Sequence, residues 1–182
     1  MFFNSPADVK GTGFLSWEYE DTNKEDDRWL YLPALRKTRR IAGASNNDYF
    51  MGSDFTYDDM GDRNVEEDIH ELIGEITYDE NECYEVKSTP LGDDDYYTYK
   101  TSIIRKDISM VVNVKYYNVY GLMKELKIND IKTIDNIETA HQMVMENYEN
   151  KHKTVLNISN IRYNTGIEDN LFKVSTIERG RL

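Results

Sequence analysis

Apolar and polar residues alternate along most of this chain with a period of two, and sustained 3.6-residue periodicity is scarce. Residues 13–19 (GFLSWEY) and 28–32 read as strands, the second with Trp29 and Tyr31 on one face and Leu30 and Leu32 on the other. Pro33-Ala34-Leu35 turns the chain. Residues 36–42 then return as strand, with Arg36, Thr38 and Arg40 on one face and Lys37, Arg39 and Ile41 on the other. Further strands are predicted over 69–78, 83–88, 97–105, 109–117, 122–128, 134–137, 139–148 and 153–162. They are divided by turn chemistry at Asp79-Glu80-Asn81, at Leu91-Gly92-Asp93-Asp94-Asp95, and over 118–121 and 149–152. The Asp93-Asp94-Asp95 run reads as a solvated turn, because like charges keep to water. A polar loop covers 43–48. A short helical turn covers 54–60, with Ser53 or Asp54 as its cap, and one short helix falls within 167–179. Many short strands in succession, joined by short turns, predict a mainly β, antiparallel meander in a single domain over 1–182.

Composition narrows the function classes. The 182 residues carry a formal net charge of −12. Phosphate binding needs a broad basic surface, so nucleic acid is excluded as a partner, as is unassisted binding to an anionic membrane. The 14 Tyr suit a half-buried pleated surface, ring inside and hydroxyl at water. The one cysteine, Cys83, allows no intramolecular disulfide and no Cys-based zinc site, and reads as a small buried hydrophobe. Residues 1–6 show no signal peptide: there is no basic start, apolar core or cleavage site.

Candidate chemistry concentrates in residues 29–60, where aromatic, basic and acidic residues crowd together. Asp54, Asp58 and Asp59 do not have calcium-loop spacing. Lys37, Arg39 and Arg40 in one short strand call for compensating carboxylates, and the acidic turn that follows is the nearest source. A salt bridge from Arg39 or Arg40 to Asp54, Asp58 or Asp59 is therefore expected, and Trp29 is expected to be substantially buried. The alternative use of these arginines is at a pocket mouth, meeting an anionic head group. His70, His141 and His152 have no Ser, Cys or carboxylate at a motif spacing, and no phosphate loop or hydrolase elbow is present. No catalytic residue, metal ligand or cofactor is assigned. Met143 and Met145 share a strand face with His141 and Asn147, either as core or as the lining of a flexible apolar cavity.

These residues also resemble a known family. Trp29-Leu30-Tyr31-Leu32-Pro33-Ala34-Leu35, Arg39-Arg40-Ile41, Phe50-Met51-Gly52-Ser53-Asp54-Phe55 and Tyr57-Asp58-Asp59-Met60 are similar to the signature of the bacterial outer-membrane lipoprotein-sorting (LolA-like) family. Lys10-Gly11-Thr12-Gly13-Phe14-Leu15, His152-Lys153-Thr154, Leu171-Phe172 and Glu178-Arg179-Gly180 extend the resemblance to nearly the whole chain. It implies a curved antiparallel sheet or half-open β-barrel with one or two short helices on its concave side. It implies a non-enzymatic periplasmic carrier of lipid or lipoprotein acyl chains, with an inner-membrane exporter of hydrophobic substrates as a possible partner. Against that pattern the domain is N-terminally incomplete. Trp29, Tyr31, Arg39, Arg40, Phe50, Asp54, Phe55, Met143 and Met145 are the candidate ligand-binding residues. The alternative function is a protein-interaction, sensor or accessory subunit of an envelope transporter.

Overall fold

A computed structural model describes residues 1–21, 23–92 and 96–179. The chain divides into two compact units, one of Met1–Asp48, Tyr57–Asp62 and Asn164–Leu182, the other of Tyr49–Thr56 and Arg63–Tyr163. The Asp93-Asp94-Asp95 turn lies outside the described residues.

The first unit is built on a three-stranded antiparallel sheet of β1 (Gly13–Trp17), β2 (Asp27–Leu32) and β3 (Lys37–Ile41). Strand alternation gives it two working faces. On one, Phe14, Leu30 and Ile41 are buried, and Tyr57 packs on Phe14 with ring centroids 6.0 Å apart. On the other sits α1 (Val174–Glu178), the only α-helix among the described residues. Gly13 lies so close beneath it that an added Cβ would come within 3.0 Å of Ile177 Cβ. Thr38 Oγ1 donates to Glu178 at 2.8 Å, and Trp17 Nε1 donates to the Phe172 carbonyl at 2.7 Å.

Trp29 is largely covered, as expected, and meets Trp17 edge-on at 4.6 Å. The fully buried residue of β2 beside Leu30 is Arg28, 3% exposed. Its guanidinium pairs with Asp26 at 3.0 Å and with Asp58 at 3.6 Å, while its Nε is buried without a hydrogen-bond partner. Among the described residues, Arg39 and Arg40 make none of the expected bridges to the acidic turn. Arg40 pairs with Asp27, and both Arg39 and Arg40 lie exposed on β3. The reason is geometric and dielectric. The acidic turn sits over Arg28, where burial makes compensation necessary, whereas exposed cations are screened by water.

The second unit is a seven-stranded antiparallel meander: β4 (Asp68–Tyr78), β5 (Asn81–Pro90), β6 (Tyr99–Arg105), β7 (Met110–Asn118), β8 (Gly121–Ile134), β9 (Ile137–Asn147) and β10 (His152–Asn157). Each strand pairs with its sequence neighbours, and among the described residues β4 and β10 have no further partner strand, so the sheet does not close into a barrel. Bulges between Leu72 and Gly74, Ile103 and Ile104, and Tyr116 and Tyr117 bend the strands. Two-residue turns at Asp79-Glu80 and Asp135-Asn136, all four residues at positive φ, suit the strand twist. The second of these replaces the separate strand expected over 134–137, which the structure resolves into the corner between β8 and β9. Cys83, Ile103 and Val112 form a buried cluster, with Ile76, Tyr78 and Ile131 packed against it.

Candidate functional site

The phenylalanine-glycine-serine-aspartate signature folds in the second unit as a closed loop, Tyr49–Thr56. A β-bridge joins Tyr49 to Thr56, and Phe50 N–H donates to the Phe55 carbonyl at 2.7 Å. Met51 (φ 51°) and Gly52 (φ 74°) make the tight reversal. A non-glycine residue at positive φ is uncommon, so Gly52 relieves the second strained position. The Ser53 hydroxyl donates to the Phe50 carbonyl at 2.7 Å and accepts Phe55 N–H at 3.2 Å. Phe50, Phe55 and Thr56 are buried.

This local geometry presents Asp54, 2% exposed, to β10. Its Oδ2 accepts from Thr154 Oγ1 and from His152 Nδ1, both at 2.7 Å. Its backbone N–H donates to the same Thr154 oxygen at 3.0 Å. His152 and Thr154 are two residues apart on a strand, hence on one face and within reach of one carboxylate. Beside them Tyr49 Oη accepts from Asn147 Nδ2 at 2.8 Å and from Asn150 Nδ2 at 3.0 Å. Asn147 Oδ1 in turn accepts Asn150 N–H at 3.0 Å and holds the β9–β10 turn.

The strand registers extend this cluster across the sheet. His152, Asn147, Lys124, Tyr116, Lys100, Ser88 and His70 lie directly opposite one another on successive strands, one polar row on one face. Lys124 is 1% exposed, with its ammonium 4.7 Å from the Tyr116 ring centroid and 5.8 Å from that of Tyr96. Lys100 reaches Asp68 at 3.1 Å, and Arg63 reaches it at 2.8 Å. Burial alone would raise the Asp68 carboxyl; the Arg63 hydrogen bond and the Lys100 charge outweigh it and hold the group below its ordinary range.

Two residues further along, the same face changes character. Thr154, Met145, Leu126, Val114, Ser102, Val86 and Leu72 form the next row, and Leu156, Met143 and Ile128 begin the one after. Met145 and Val114 are buried, but Leu126, Ile128, Met143, Val86 and Leu156 are only partly covered. The result is a half-open apolar stripe bounded by a polar row of which Asn147, Lys124 and Ser88 are buried. Around one end of β8, Val112, Ile128, Ile131 and Tyr78 line a recess of about 600 Å³, rimmed by Asp79, Asn81, Arg105, Asn129 and Asp130.

Of the sequence candidates, Phe50, Asp54, Phe55, Met143 and Met145 fall in this unit, whereas Trp29, Tyr31, Arg39 and Arg40 belong to the three-stranded sheet. Sequence reasoning missed Thr154, Asn147, Lys124 and Arg28. The His152-Lys153-Thr154 run and the signature serve one contact, which no spacing rule reveals across a hundred residues. Ser53, Asp54 and His152 all line one recess of about 230 Å³. Ser53 and His152 are nevertheless not hydrogen-bonded, and the serine proton is used inside its own loop. The nucleophile-to-base link of hydrolytic triads is absent here. Among the described residues no cluster of metal-ligating side chains occurs.

A family model described only as an uncharacterised protein matches residues 1–179. A solved structure from Vibrio parahaemolyticus, provisionally named an outer membrane lipoprotein-sorting protein domain, superposes with a TM-score of 0.92 at 30% identity, over 98% of this chain and 76% of that one. A DUF1329 family protein from Desulfovibrio piger gives 0.92 at 36% identity, over 97% and 75%. A LolA superfamily protein from Nitrosomonas europaea shares the fold, with a TM-score of 0.70 at 17% identity, over 96% and 75%. No curated protein matches the chain.

Proposed function

The chain belongs to the LolA-like outer-membrane lipoprotein-sorting family that includes DUF1329 proteins, and from that membership we propose that it is a non-enzymatic periplasmic carrier of lipid or lipoprotein acyl chains. The observation that carries this reading is the half-open apolar stripe of Leu126, Ile128, Met143, Val86 and Leu156, on a sheet with the architecture of that family. An acyl chain laid along the stripe loses its contact with water at about 0.8 kcal/mol per methylene, so ten methylenes give roughly 8 kcal/mol before the cost of association. No bond needs to be made or broken. The polar row at the stripe's boundary supplies a place where the acyl chain ends and the polar head begins. The recess of about 600 Å³ lies within the usual range for small-molecule sites. The acidic exterior keeps such a carrier dispersed when loaded.

Nothing in the fold points to an inner-membrane exporter, and none is part of this proposal. The test is native mass spectrometry of the protein from its host, followed by titration of the delipidated chain with a pyrene-labelled fatty acid. Co-purified lipid is expected, as is micromolar binding that Ile128→Asp weakens at least tenfold while far-UV circular dichroism stays unchanged. A delipidated protein that binds no acyl chain up to its solubility limit refutes the carrier reading.

A further inference from the structure

The two free edges of the seven-stranded sheet are built differently. β10 has six residues and carries Lys153, a common device for keeping an edge from pairing. β4 has eleven residues and contains no Lys, Arg or Pro. It exposes Ile69 (60%), Leu72 (60%) and Ile73 (51%), with Val65 (69%) and Leu91 (62%) beside its start. Leu91 N–H donates to the Glu67 carbonyl at 2.9 Å, which fixes that apolar corner against the strand. A bulge between Leu72 and Gly74 divides the strand, whose first half, Asp68 to Leu72, pairs in one unbroken register. In that half the exposed charge is acidic throughout: Glu66, Glu67 and Glu71 are exposed. Among the described residues Glu71 has no ion pair, and Glu75, beyond the bulge, is met by Lys106 at 2.6 Å.

We propose that β4 is a docking edge for a partner protein, which adds an extended segment of alternating apolar and basic residues as an eighth strand. Main-chain hydrogen bonds to an edge strand supply affinity, and alternate side chains supply selectivity. The segment's apolar positions cover Leu72 on one face of β4; its lysines or arginines lie on the other face, where their stems cover Ile69 and their charges meet Glu71 and the Glu66-Glu67 pair. Charge decides against a second copy as the occupant. Two copies bring net charges of −12 together and set glutamates against glutamates across the new pair. Leu72 also ends an apolar row of the carrier face, so Glu71→Lys, on the opposite face, is the variant that separates the docking edge from the carrier reading.

The test uses the 182-residue chain, nitrogen-15-labelled, and three capped decapeptides: alternating Lys-Val, alternating Glu-Val, and Lys-Val with a central Pro. The Lys-Val peptide is expected to shift the amide resonances of Ile69 to Ile73 and slow their hydrogen exchange. The other two are expected to leave those amides unchanged. Leu72→Lys and Glu71→Lys, both on the exposed edge and checked for folding by circular dichroism, should each weaken Lys-Val binding at least tenfold. Absence of β4 shifts with millimolar Lys-Val peptide overturns the proposal, as does equal binding of Lys-Val and Glu-Val. Dimerisation in sedimentation experiments without peptide, abolished by Leu72→Lys, overturns it in favour of a second copy.

Discussion

Asp54 binds the signature loop to the last strand of the sheet, and the strength of that clasp is open to a double-mutant cycle. The carboxylate accepts from Thr154 and His152, both at 2.7 Å, but the two contacts are not equal. Asp54 is 2% exposed, and the hydroxyl contact sits inside the loop–strand junction, where a hydrogen bond to a charged group is worth about 1.5–3 kcal/mol. The His152 side chain is 62% exposed, so its contact is screened and contributes about 1 kcal/mol or less. Thr154→Val removes the donor to Oδ2 and also the acceptor of Asp54 N–H. We expect Asp54→Ala to cost about 2–4 kcal/mol, Thr154→Val about 2–3, and His152→Ala less than about 1, with a coupling of about 1.5–3 kcal/mol between the first two. Urea unfolding followed by far-UV circular dichroism reads the cost. Hydrogen exchange at the Asp54 amide reads the loop directly, and its protection should vanish in Thr154→Val. Both tryptophans, Trp17 and Trp29, lie in the other unit, so their emission serves as a control. A coupling below about 0.5 kcal/mol, or a His152→Ala cost equal to that of Thr154→Val, refutes the clasp.

Three further outcomes follow from the same reasoning. Arg28→Ala should destabilise by about 2–4 kcal/mol, because it removes a buried, packed side chain together with its pairs to Asp26 and Asp58, whereas Arg40→Ala should change stability by less than about 1 kcal/mol; guanidinium unfolding followed by tryptophan emission separates them. The Asp68 and Glu125 carboxyls both titrate below their ordinary range: burial opposes this, but Arg63 and Lys100 at Asp68, and Tyr148, Asn113 and Lys127 at Glu125, outweigh it. A depressed carboxyl adds stability that is complete above the unfolded-state value of about 4 and disappears as pH falls through the folded-state value. Stability should thus decline below about pH 5, less steeply in Glu125→Gln, as pH-dependent urea midpoints will show. Met145→Ala, at a fully buried position, should cost about 2–4 kcal/mol, and Met143→Ala, on the half-open stripe, about 1 kcal/mol in thermal melts.

The strand count and the meander were legible because both depend on near-neighbour rules. Alternation marks the strands, and Asp79-Glu80 and Asn118 to Gly121 mark the corners. The corner at Asp135-Asn136 is masked in the sequence, because Ile134 and Ile137 flank it with β-branched residues that favour strand. The signature's grouping of Trp29, Arg39, Arg40, Asp54 and Phe55 was also legible, but it divides between two units. Proximity in sequence suggested Arg39 or Arg40 as the partner of the acidic turn. Solvation chose Arg28, because only the buried cation needed a carboxylate.

The sequence by itself determined a mainly β, antiparallel, acidic chain with the signature of a lipoprotein-sorting family. The strands, their antiparallel order and the acidity are set by periodicity, turn residues and composition, which act over a few positions, while the signature is a resemblance carried by the residues of 29–60. Only the tertiary structure decided that Asp54 belongs to Thr154 and His152, that Lys124 is buried between tyrosines, and that β4 is left open and acidic. Those outcomes depend on strand register and on which groups lose water, and neither quantity is defined until the sheet has formed.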